Sequence, residues 1–230
     1  GSLSFNGQRC TALKILFVHD TIKNAFIDKF VNAISSAKTG MPWDNPQITP
    51  LPEPNKPAYI KDLVSDAVNK GAKLITPHNL PDEKTFVFPK VLVDVNKEMM
   101  LYHDEQFGPV VPIVTFSDIS EPINYLTNSQ YGQQVSLFSK NADTLAKLID
   151  PLVNQVCRVN INSQCQRGPD VYPFNGRKNS AEGTLSVTDA LRQFSIRTLV
   201  AAKANDANKK IISQIYEERA SNFLSTEFIL

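Results

Sequence analysis

The sequence predicts an α/β fold with a mostly parallel sheet and helices on both faces. Short apolar runs of strand length recur along the chain, such as Ile15 to Val18 and Val110 to Val114. Between these runs lie stretches whose apolar residues are spaced by three and four, as in amphipathic helices. Strands and helices that alternate in this way form right-handed crossovers between parallel strands, with the helices packed on the sheet.

The first predicted unit is a strand followed by a helix. Leu13 to Val18 is nearly continuous in apolar residues, which is typical of a strand covered on both faces. Asp20 and Thr21 follow as candidate helix caps. A helix is predicted from Ile22 to Ala37 because its apolar residues recur at helical spacing, and Gly40 stands where a left-handed C-terminal cap belongs.

A proline-rich passage separates this unit from the next one. Six prolines between residues 42 and 57 exclude a regular helix or a central strand, so we expect an extended loop. A second helix is predicted from Ile60 to Val68, and Gly71 is expected to end it. A strand from Lys73 to Thr76 comes directly after it.

The alternation continues to the C-terminal region. Further strands are predicted at Phe86 to Val95, Val110 to Phe116, Val135 to Ser139, Val156 to Ile161 and Ile196 to Ala202, and further helices at Ile119 to Asn128, Ala142 to Val153 and Asn208 to Arg219. The last helix is interpreted as an extension that docks either on its own domain or on a partner subunit, and the sequence does not choose between these two.

Composition narrows the classes of function. The 24 basic and 23 acidic residues leave a formal net charge of +1, so no charge excess selects nucleic acid or an anionic membrane. The longest apolar runs are far shorter than the roughly 20 residues that a membrane helix needs. We expect a cytoplasmic protein without a metal, a nucleic-acid partner or a membrane partner. Neither disulfide nor metal-ligand spacing is found among the cysteines and histidines, which are Cys10, Cys157, Cys165, His19, His78 and His103.

The most unusual string is Asn6-Gly7-Gln8-Arg9-Cys10-Thr11, a glycine-containing loop in front of the first strand. A neighbouring guanidinium favours the thiolate form of a cysteine, and the backbone amides of a loop hold an oxyanion. Cys10 is therefore a candidate nucleophile. A half-buried structural cysteine is the alternative.

Three motifs resemble those of the aldehyde dehydrogenase superfamily. The string GQRCTALK around Cys10 resembles the catalytic cysteine motif, and Asp104-Glu105-Gln106-Phe107-Gly108-Pro109 resembles the motif EEIFGP or EEPFGP. The passage from Val159 through Arg167-Gly168-Pro169-Asp170 to Gly176 is similar to the segment that lines the substrate pocket. The three motifs stand in the family's order, so the resemblance implies a fold of the aldehyde dehydrogenase catalytic-domain type.

The resemblance also implies a role for each motif residue. Cys10 would attack the aldehyde to give a thiohemiacetal, and hydride loss would leave a thioester that water hydrolyses. Glu105 and Phe107 would bind the cofactor NADP at its nicotinamide end.

Within the superfamily, the chain most resembles the NADP-dependent, non-phosphorylating glyceraldehyde-3-phosphate dehydrogenases. Arg9 and Arg167 carry this resemblance, because guanidinium forks pair bidentately with phosphate. It implies that Arg9, Thr11 and Arg167 bind a small phosphorylated aldehyde, which is oxidised to 3-phosphoglycerate. An enzyme for another acidic aldehyde, such as a semialdehyde, and a catalytically silent assembly module stay open as alternatives.

The predicted domain organisation follows from the same resemblance. Residues 1–2 are interpreted as a cloning remnant, 3–195 as the catalytic domain, 196–204 as an oligomerisation strand and 205–230 as a C-terminal helical extension. The family's general-base glutamate, its oxyanion asparagine and most of its NADP site lie further before the cysteine than the nine residues that precede Cys10. We therefore expect these 230 residues to be inactive alone, and the full-length protein to be a homo-oligomer, either a dimer or a tetramer, that acts in glycolysis.

Overall fold

The computed structural model describes residues 1–77 and 82–224. The predicted α/β class is confirmed, since parallel-paired strands alternate with helices along the chain. The chain divides into two units, the first comprising residues 1–168 with 175–183 and the second comprising 169–174 with the residues from 184 onward. His78 and residues 225–230 of the predicted extension lie outside the described residues.

The main sheet of the first unit has four strands in the order β1-β4-β3-β2. They are β1 Leu16–His19, β2 Lys73–Ile75, β3 Lys90–Val93 and β4 Val110–Phe116. β1 and β3 both pair in parallel with β4, whereas β2 pairs antiparallel with β3. β4 lies between two partners and its first five residues are buried, which explains its nearly continuous apolar sequence.

Helices cover both faces of this sheet. Leu92 of β3 packs in one core cluster with Leu63, and its neighbour Val91 packs in another with Ile34. Successive strand residues point to opposite faces, so the two clusters lie on opposite sides of the sheet. The helices of this region are α1 Lys23–Ser35, α2 Lys56–Asn69 and the short α3 Met100–His103. Leu63 belongs to α2 and Ile34 belongs to α1.

The remainder of the first unit forms two smaller sheets. Its elements are α4 Ser120–Asn128, β5 Tyr131–Gly132, β6 Gln134–Leu137, α5 Ala142–Leu152, β7 Arg158–Ile161 and β8 Arg177–Lys178. β6 pairs in parallel with β7, and β5 pairs antiparallel with β8. The sequence did not predict β5 or β8, because strands of two residues carry no periodicity.

The second unit contains α6 Val187–Gln193 and α7 Asp206–Glu217. α7 confirms the predicted C-terminal helix, whereas α6 was not predicted. The strand predicted from Ile196 to Ala202 is wrong for the single chain, because no ladder within the described residues includes that range. A strand exists only when its backbone groups are paired, and here Ile196 and Leu199 are 94% and 85% exposed.

Two helix ends also differ from the prediction. Neither Asp20 nor Thr21 caps α1; the ring Nδ1 of His19 instead accepts a hydrogen bond from the Thr21 amide at 3.3 Å, at the start of a short 3-10 turn. Gly40 is not a left-handed cap, since α1 ends before it. Gly71 does follow α2 in the left-handed region, with a φ of 102°.

Candidate active site

The residues before Cys10 form a tight turn, and residues 4–14 are called the cysteine segment below. Asn6 and Gly7 have φ values of 60° and 74°. The buried Asn6 side chain bonds Thr49 twice, since its Nδ2 donates to Oγ1 at 2.8 Å and its Oδ1 accepts from the amide at 2.9 Å. Asparagine and glycine tolerate left-handed backbone, so these bonds fix the turn that precedes the cysteine.

The cysteine segment lies directly against residues 104–109, which carry Glu105 and Phe107 and are called the Glu105 segment below. A Cβ atom on Gly7 would overlap the carbonyl oxygen of Gly108, so no side chain fits at residue 7. Gly108 in turn packs closely on Ile60 of α2. Two motifs that are far apart in the sequence are therefore in van der Waals contact.

Gln106 joins these two segments a second time. Its side chain is buried, and its Nε2 donates to the main-chain oxygens of Lys14 and Val110, each at 2.8 Å. A buried polar group that loses its partner costs roughly 1–3 kcal/mol, so both bonds favour this one arrangement. Gln106 thereby fixes the backbone between Glu105 and Phe107.

Lys14, the last residue of the cysteine segment, is a partly buried cation. Its Nζ donates to the carbonyl oxygen of Tyr102 at 3.1 Å and to the hydroxyl of Tyr125 at 3.2 Å. Burial lowers the pKa of Lys14 to about 8, although the carboxylates of Asp104 and Glu105 act in the opposite direction. Burial also raises the pKa of the Tyr125 hydroxyl. A desolvated charge therefore lies beside the Glu105 segment.

A shallow cleft opens where the two segments meet. Arg9, Glu105 and Phe107 all line it, together with Lys14, so the structure brings together three of the residues singled out in the sequence. The Glu105 side chain is exposed, while its main-chain oxygen accepts a hydrogen bond from the Tyr59 hydroxyl at 3.0 Å. The carboxylate of Glu105 is thus presented by a backbone that is held in place.

Arg9 and Phe107 are each positioned by local contacts. The Arg9 Nη1 donates to Ser4 Oγ at 3.2 Å, and its guanidinium lies 5.5 Å from the centre of the Phe5 ring. Phe107 has a φ of 41°, and Lys56 Nζ lies 5.8 Å from its ring centre. A left-handed residue other than glycine costs on the order of 1–3 kcal/mol, and such residues cluster at functional sites.

Cys10 and Thr11 do not line this cleft. The Cys10 thiol is exposed, so a small molecule has access to it. Thr11 is only 4% exposed. Its part in substrate binding stays a prediction, as does the nucleophilic role of Cys10.

Arg167 lies on another stretch, residues 164–168, which is called the arginine segment below. This stretch follows β7 and forms neither helix nor strand. Arg167 is exposed and does not line the cleft that contains Arg9. Cys165, two residues earlier, is buried with its Sγ 3.3 Å from Ser136 Oγ, and burial raises the pKa of its thiol.

Sequence reasoning missed the residues that hold these segments. Lys14 stands within the GQRCTALK string, but lysines are mostly solvated, so nothing in the pattern signals its burial. Gln106 stands between two predicted cofactor residues, and only its place inside the motif draws attention to it. Asn6 has a clearer signal, because an Asn-Gly pair is typical of left-handed turns.

Two kinds of site are absent from the part of the chain that the structure describes. Among residues 1–77 and 82–224, no three His, Cys, Asp or Glu side chains gather as metal ligands do. No helix in the same ranges combines the length and the apolar character needed to cross a membrane.

Comparison with known proteins adds an independent line of argument. The model of the aldehyde dehydrogenase family matches residues 1–200. An NADP-dependent glyceraldehyde-3-phosphate dehydrogenase from Streptococcus equinus is 34% identical over 204 residues, which are 89% of this chain and 41% of the relative. A sulfoacetaldehyde dehydrogenase from Neptuniibacter caesariensis is 32% identical, over 84% of this chain and 42% of the relative.

A solved structure agrees with these matches. The NADP-dependent glyceraldehyde-3-phosphate dehydrogenase from Bacillus halodurans C-125, complexed with NADP, superposes with a TM-score of 0.78 at 34% identity. The match covers 83% of this chain and 39% of that structure. The chain therefore spans about two fifths of the length of the proteins that it resembles.

Proposed function

The chain belongs to the aldehyde dehydrogenase family, and from this premise we propose that it forms the catalytic part of an NADP-dependent enzyme that oxidises glyceraldehyde 3-phosphate to 3-phosphoglycerate. The observation that carries the proposal is the contact between the cysteine segment and the Glu105 segment. Gly7 meets Gly108 there, and Gln106 bonds the backbone of Lys14. A nucleophile motif and a cofactor motif are thus held in one place.

The chemistry proposed for Cys10 is covalent. Its Sγ attacks the aldehyde carbon, and the oxyanion that forms accepts a hydrogen bond from a main-chain amide of the cysteine segment. Loss of a hydride from the thiohemiacetal, for which NADP would be the acceptor, would give a thioester. Water then cleaves the carbon–sulfur bond, which releases the carboxylic acid and restores the thiol.

Glu105 and Phe107 fit the nicotinamide end of NADP. The exposed Glu105 carboxylate would accept hydrogen bonds from ribose hydroxyls, and the half-buried Phe107 ring would offer a flat apolar face. Bound NADP would supply the hydride acceptor at this point. Tyr59 and Gln106 keep the backbone of the two residues in place.

Arg9 and Arg167 are proposed to bind the phosphate, and Thr11 is proposed to contribute to substrate binding. A phosphate dianion is matched by guanidinium groups, which stay charged at any relevant pH and pair with two oxygens at once. The similarity to glyceraldehyde-3-phosphate dehydrogenases supports this assignment.

The test uses the full-length protein with Arg9→Met and Arg167→Met. A hydrogen bond to a charged group is worth about 1.5–3 kcal/mol, so each change should raise KM for glyceraldehyde 3-phosphate roughly 10- to 100-fold. KM for unphosphorylated glyceraldehyde should change little. Arg192→Met is the matched control, because Arg192 is an exposed arginine that pairs with Asp189 of the same helix, α6. An equal loss on both aldehydes would contradict the phosphate assignment.

A second candidate is the oxidation of another acidic aldehyde. The similarity to a sulfoacetaldehyde dehydrogenase favours it, because sulfonates and carboxylates also pair with arginine. Substrate profiling separates the two. A kcat/KM for sulfoacetaldehyde or a semialdehyde above that for glyceraldehyde 3-phosphate would select this second candidate.

The whole protein is proposed to be a cytoplasmic homo-oligomer that contacts its partner through residues 196–204. The apolar side chains of Ile196 and Leu199 are almost fully exposed in the single chain, which supports an interface there.

A further inference from the structure

The arginine segment has no backbone ladder of its own and is held by side chains from β6 and β7. Gln134 of β6 bonds both main-chain groups of Gln166: its Nε2 donates to the carbonyl oxygen at 3.0 Å, and its Oε1 accepts from the amide at 3.2 Å. The side-chain amide thus pairs with the backbone as a neighbouring strand would. This fixes the residue directly before Arg167.

Arg158 of β7 holds the segment on both sides of Arg167. Its Nη1 donates to the carbonyl oxygen of Gln166 at 3.1 Å and to that of Gly168 at 2.9 Å. One nitrogen therefore joins the carbonyls that flank Arg167. Because these carbonyls define the orientation of the backbone around Arg167, the contact also sets the direction in which its side chain leaves the chain.

The side chains of Gln134 and Arg158 project from two paired strands. Gln134 and Arg158 are register partners in the parallel ladder of β6 with β7. Asn160, which is buried, donates to Gln134 Oε1 at 3.2 Å and to the main-chain oxygen of Val135 at 3.1 Å. The Gln134 amide is therefore oriented by a further residue of the same ladder.

We propose that Arg158 and Gln134 are positioning residues that set the preference for a phosphorylated aldehyde by holding Arg167 in its binding orientation. The inference rests on the proposed function, in which Arg167 binds the phosphate. A guanidinium makes two parallel bonds to a phosphate only when its plane is correctly placed, so a small rotation of the backbone is costly. Arg158 acts through Arg167 and does not itself bind the phosphate.

The first measurement is steady-state kinetics of the full-length protein with Arg158→Met. Misplacement of a binding group by about 1 Å costs up to 100-fold, so we expect KM for glyceraldehyde 3-phosphate to rise roughly tenfold. kcat, and KM for unphosphorylated glyceraldehyde, should stay within about twofold, since Cys10 and the Glu105 segment are untouched. Competitive inhibition by inorganic phosphate should weaken by the same factor as KM rises.

Arg158→Lys and Arg177→Met are the matched variants. A lysine ammonium retains donors for the flanking carbonyls, so Arg158→Lys should recover most of the lost affinity. Arg177 Nε donates to the Val156 carbonyl oxygen at 3.2 Å, which is not part of the arginine segment, so the loss of this side chain should leave KM unchanged. If Arg158→Met does not fold, Gln134→Met tests the same idea with an expected KM increase of roughly fivefold.

The double variant Arg158→Met/Arg167→Met decides how Arg158 acts. If it acts through Arg167, the double variant has the same KM as Arg167→Met alone. If the KM of the double variant rises by the product of the increases in the two single variants, Arg158 binds the phosphate directly and the positioning role is wrong. A loss with Arg167→Met but none with Arg158→Met overturns this inference and leaves the proposed function standing. No loss with Arg167→Met overturns the phosphate assignment and the inference with it.

Discussion

The cysteine segment and the arginine segment each present an arginine, but they are built by different means. The cysteine segment is fixed by contact, with Gly7 against Gly108 and the buried Asn6 and Gln106 bonded to the main chain around them. The arginine segment is fixed by polar side chains that reach out from a two-stranded ladder. It stays exposed at Arg167.

The two segments therefore tolerate different changes. Close backbone contact leaves no space for an added atom, so an error there is transmitted to the core behind it. Hydrogen bonds from side chains to an exposed backbone contribute roughly 0.5–1.5 kcal/mol each, so their loss alters orientation more than stability. We therefore expect substitutions at the contact residues of the cysteine segment, such as Gly7, to change folding. Substitutions of the side chains that hold the arginine segment should change specificity.

The largest expected effect compares two glycines, one in each segment. Gly7→Ala places a methyl group on the Gly108 carbonyl oxygen at a φ of 74°, and should lower the free energy of unfolding by roughly 3 kcal/mol or more. Gly168→Ala meets no atom within 4 Å and needs no left-handed backbone, so its change should stay within about 0.5 kcal/mol. Urea unfolding measures both. Equal destabilisation by the two substitutions would refute the contrast between the segments.

The next largest expected effect is the dependence of folding stability on pH that results from the burial of Lys14 in the cysteine segment. With its pKa lowered by burial to about 8 against 10.5 in the unfolded chain, Lys14 loses its proton earlier in the folded state. Between these two values the unfolded chain binds more protons, so this group makes stability rise with pH. Below pH 8 both states are protonated, and the full cost of burying the charge, about 3 kcal/mol, is present.

Lys14→Met removes this dependence. The free energy of unfolding of the unsubstituted chain should rise relative to Lys14→Met by about 3 kcal/mol from pH 7 to pH 10.5, because the buried ammonium beside Tyr102, Tyr125, Asp104 and Glu105 becomes neutral. Urea unfolding at several pH values measures it, with Lys61→Met on an exposed helix face as control. A difference that stays constant with pH would show that the Lys14 charge is solvated.

The same contrast explains what the sequence predicts well. β4 begins and ends where predicted, at Val110 and Phe116, because a strand between two partners must be apolar along its length. The predicted strand from Ile196 to Ala202 is wrong for the single chain, because no strand within the described residues pairs with that range. The local spacing of apolar residues indicates which residues are buried. The pairing of a strand depends on which other strand lies beside it, and the local spacing does not encode that.

For the candidate site, the motifs predicted the residue types but not the means of support. Arg9, Glu105 and Phe107 line one cleft, whereas Arg167, which was expected to bind the phosphate together with Arg9, does not line it. The contact between Gly7 and Gly108 joins distant parts of the sequence, and no periodicity encodes it. Arg158 is one polar residue in a strand, and only coordinates show that its side chain turns to the backbone beside Arg167.

The smallest expected effect compares the cysteines of the two segments. Cys10 is exposed, whereas Cys165 is buried. Burial raises the pKa of the Cys165 thiol, which lowers the fraction of this thiol that is ionised at neutral pH. Limiting iodoacetamide should therefore modify Cys10 at least about tenfold faster than Cys165, as measured by mass spectrometry of the peptides. Cys157, which is partly exposed, should react at an intermediate rate. Labelling in urea, where all three thiols are accessible, is the control. If Cys165 were labelled faster than Cys10 in the folded chain, the arginine segment would open more readily than its hydrogen bonds imply.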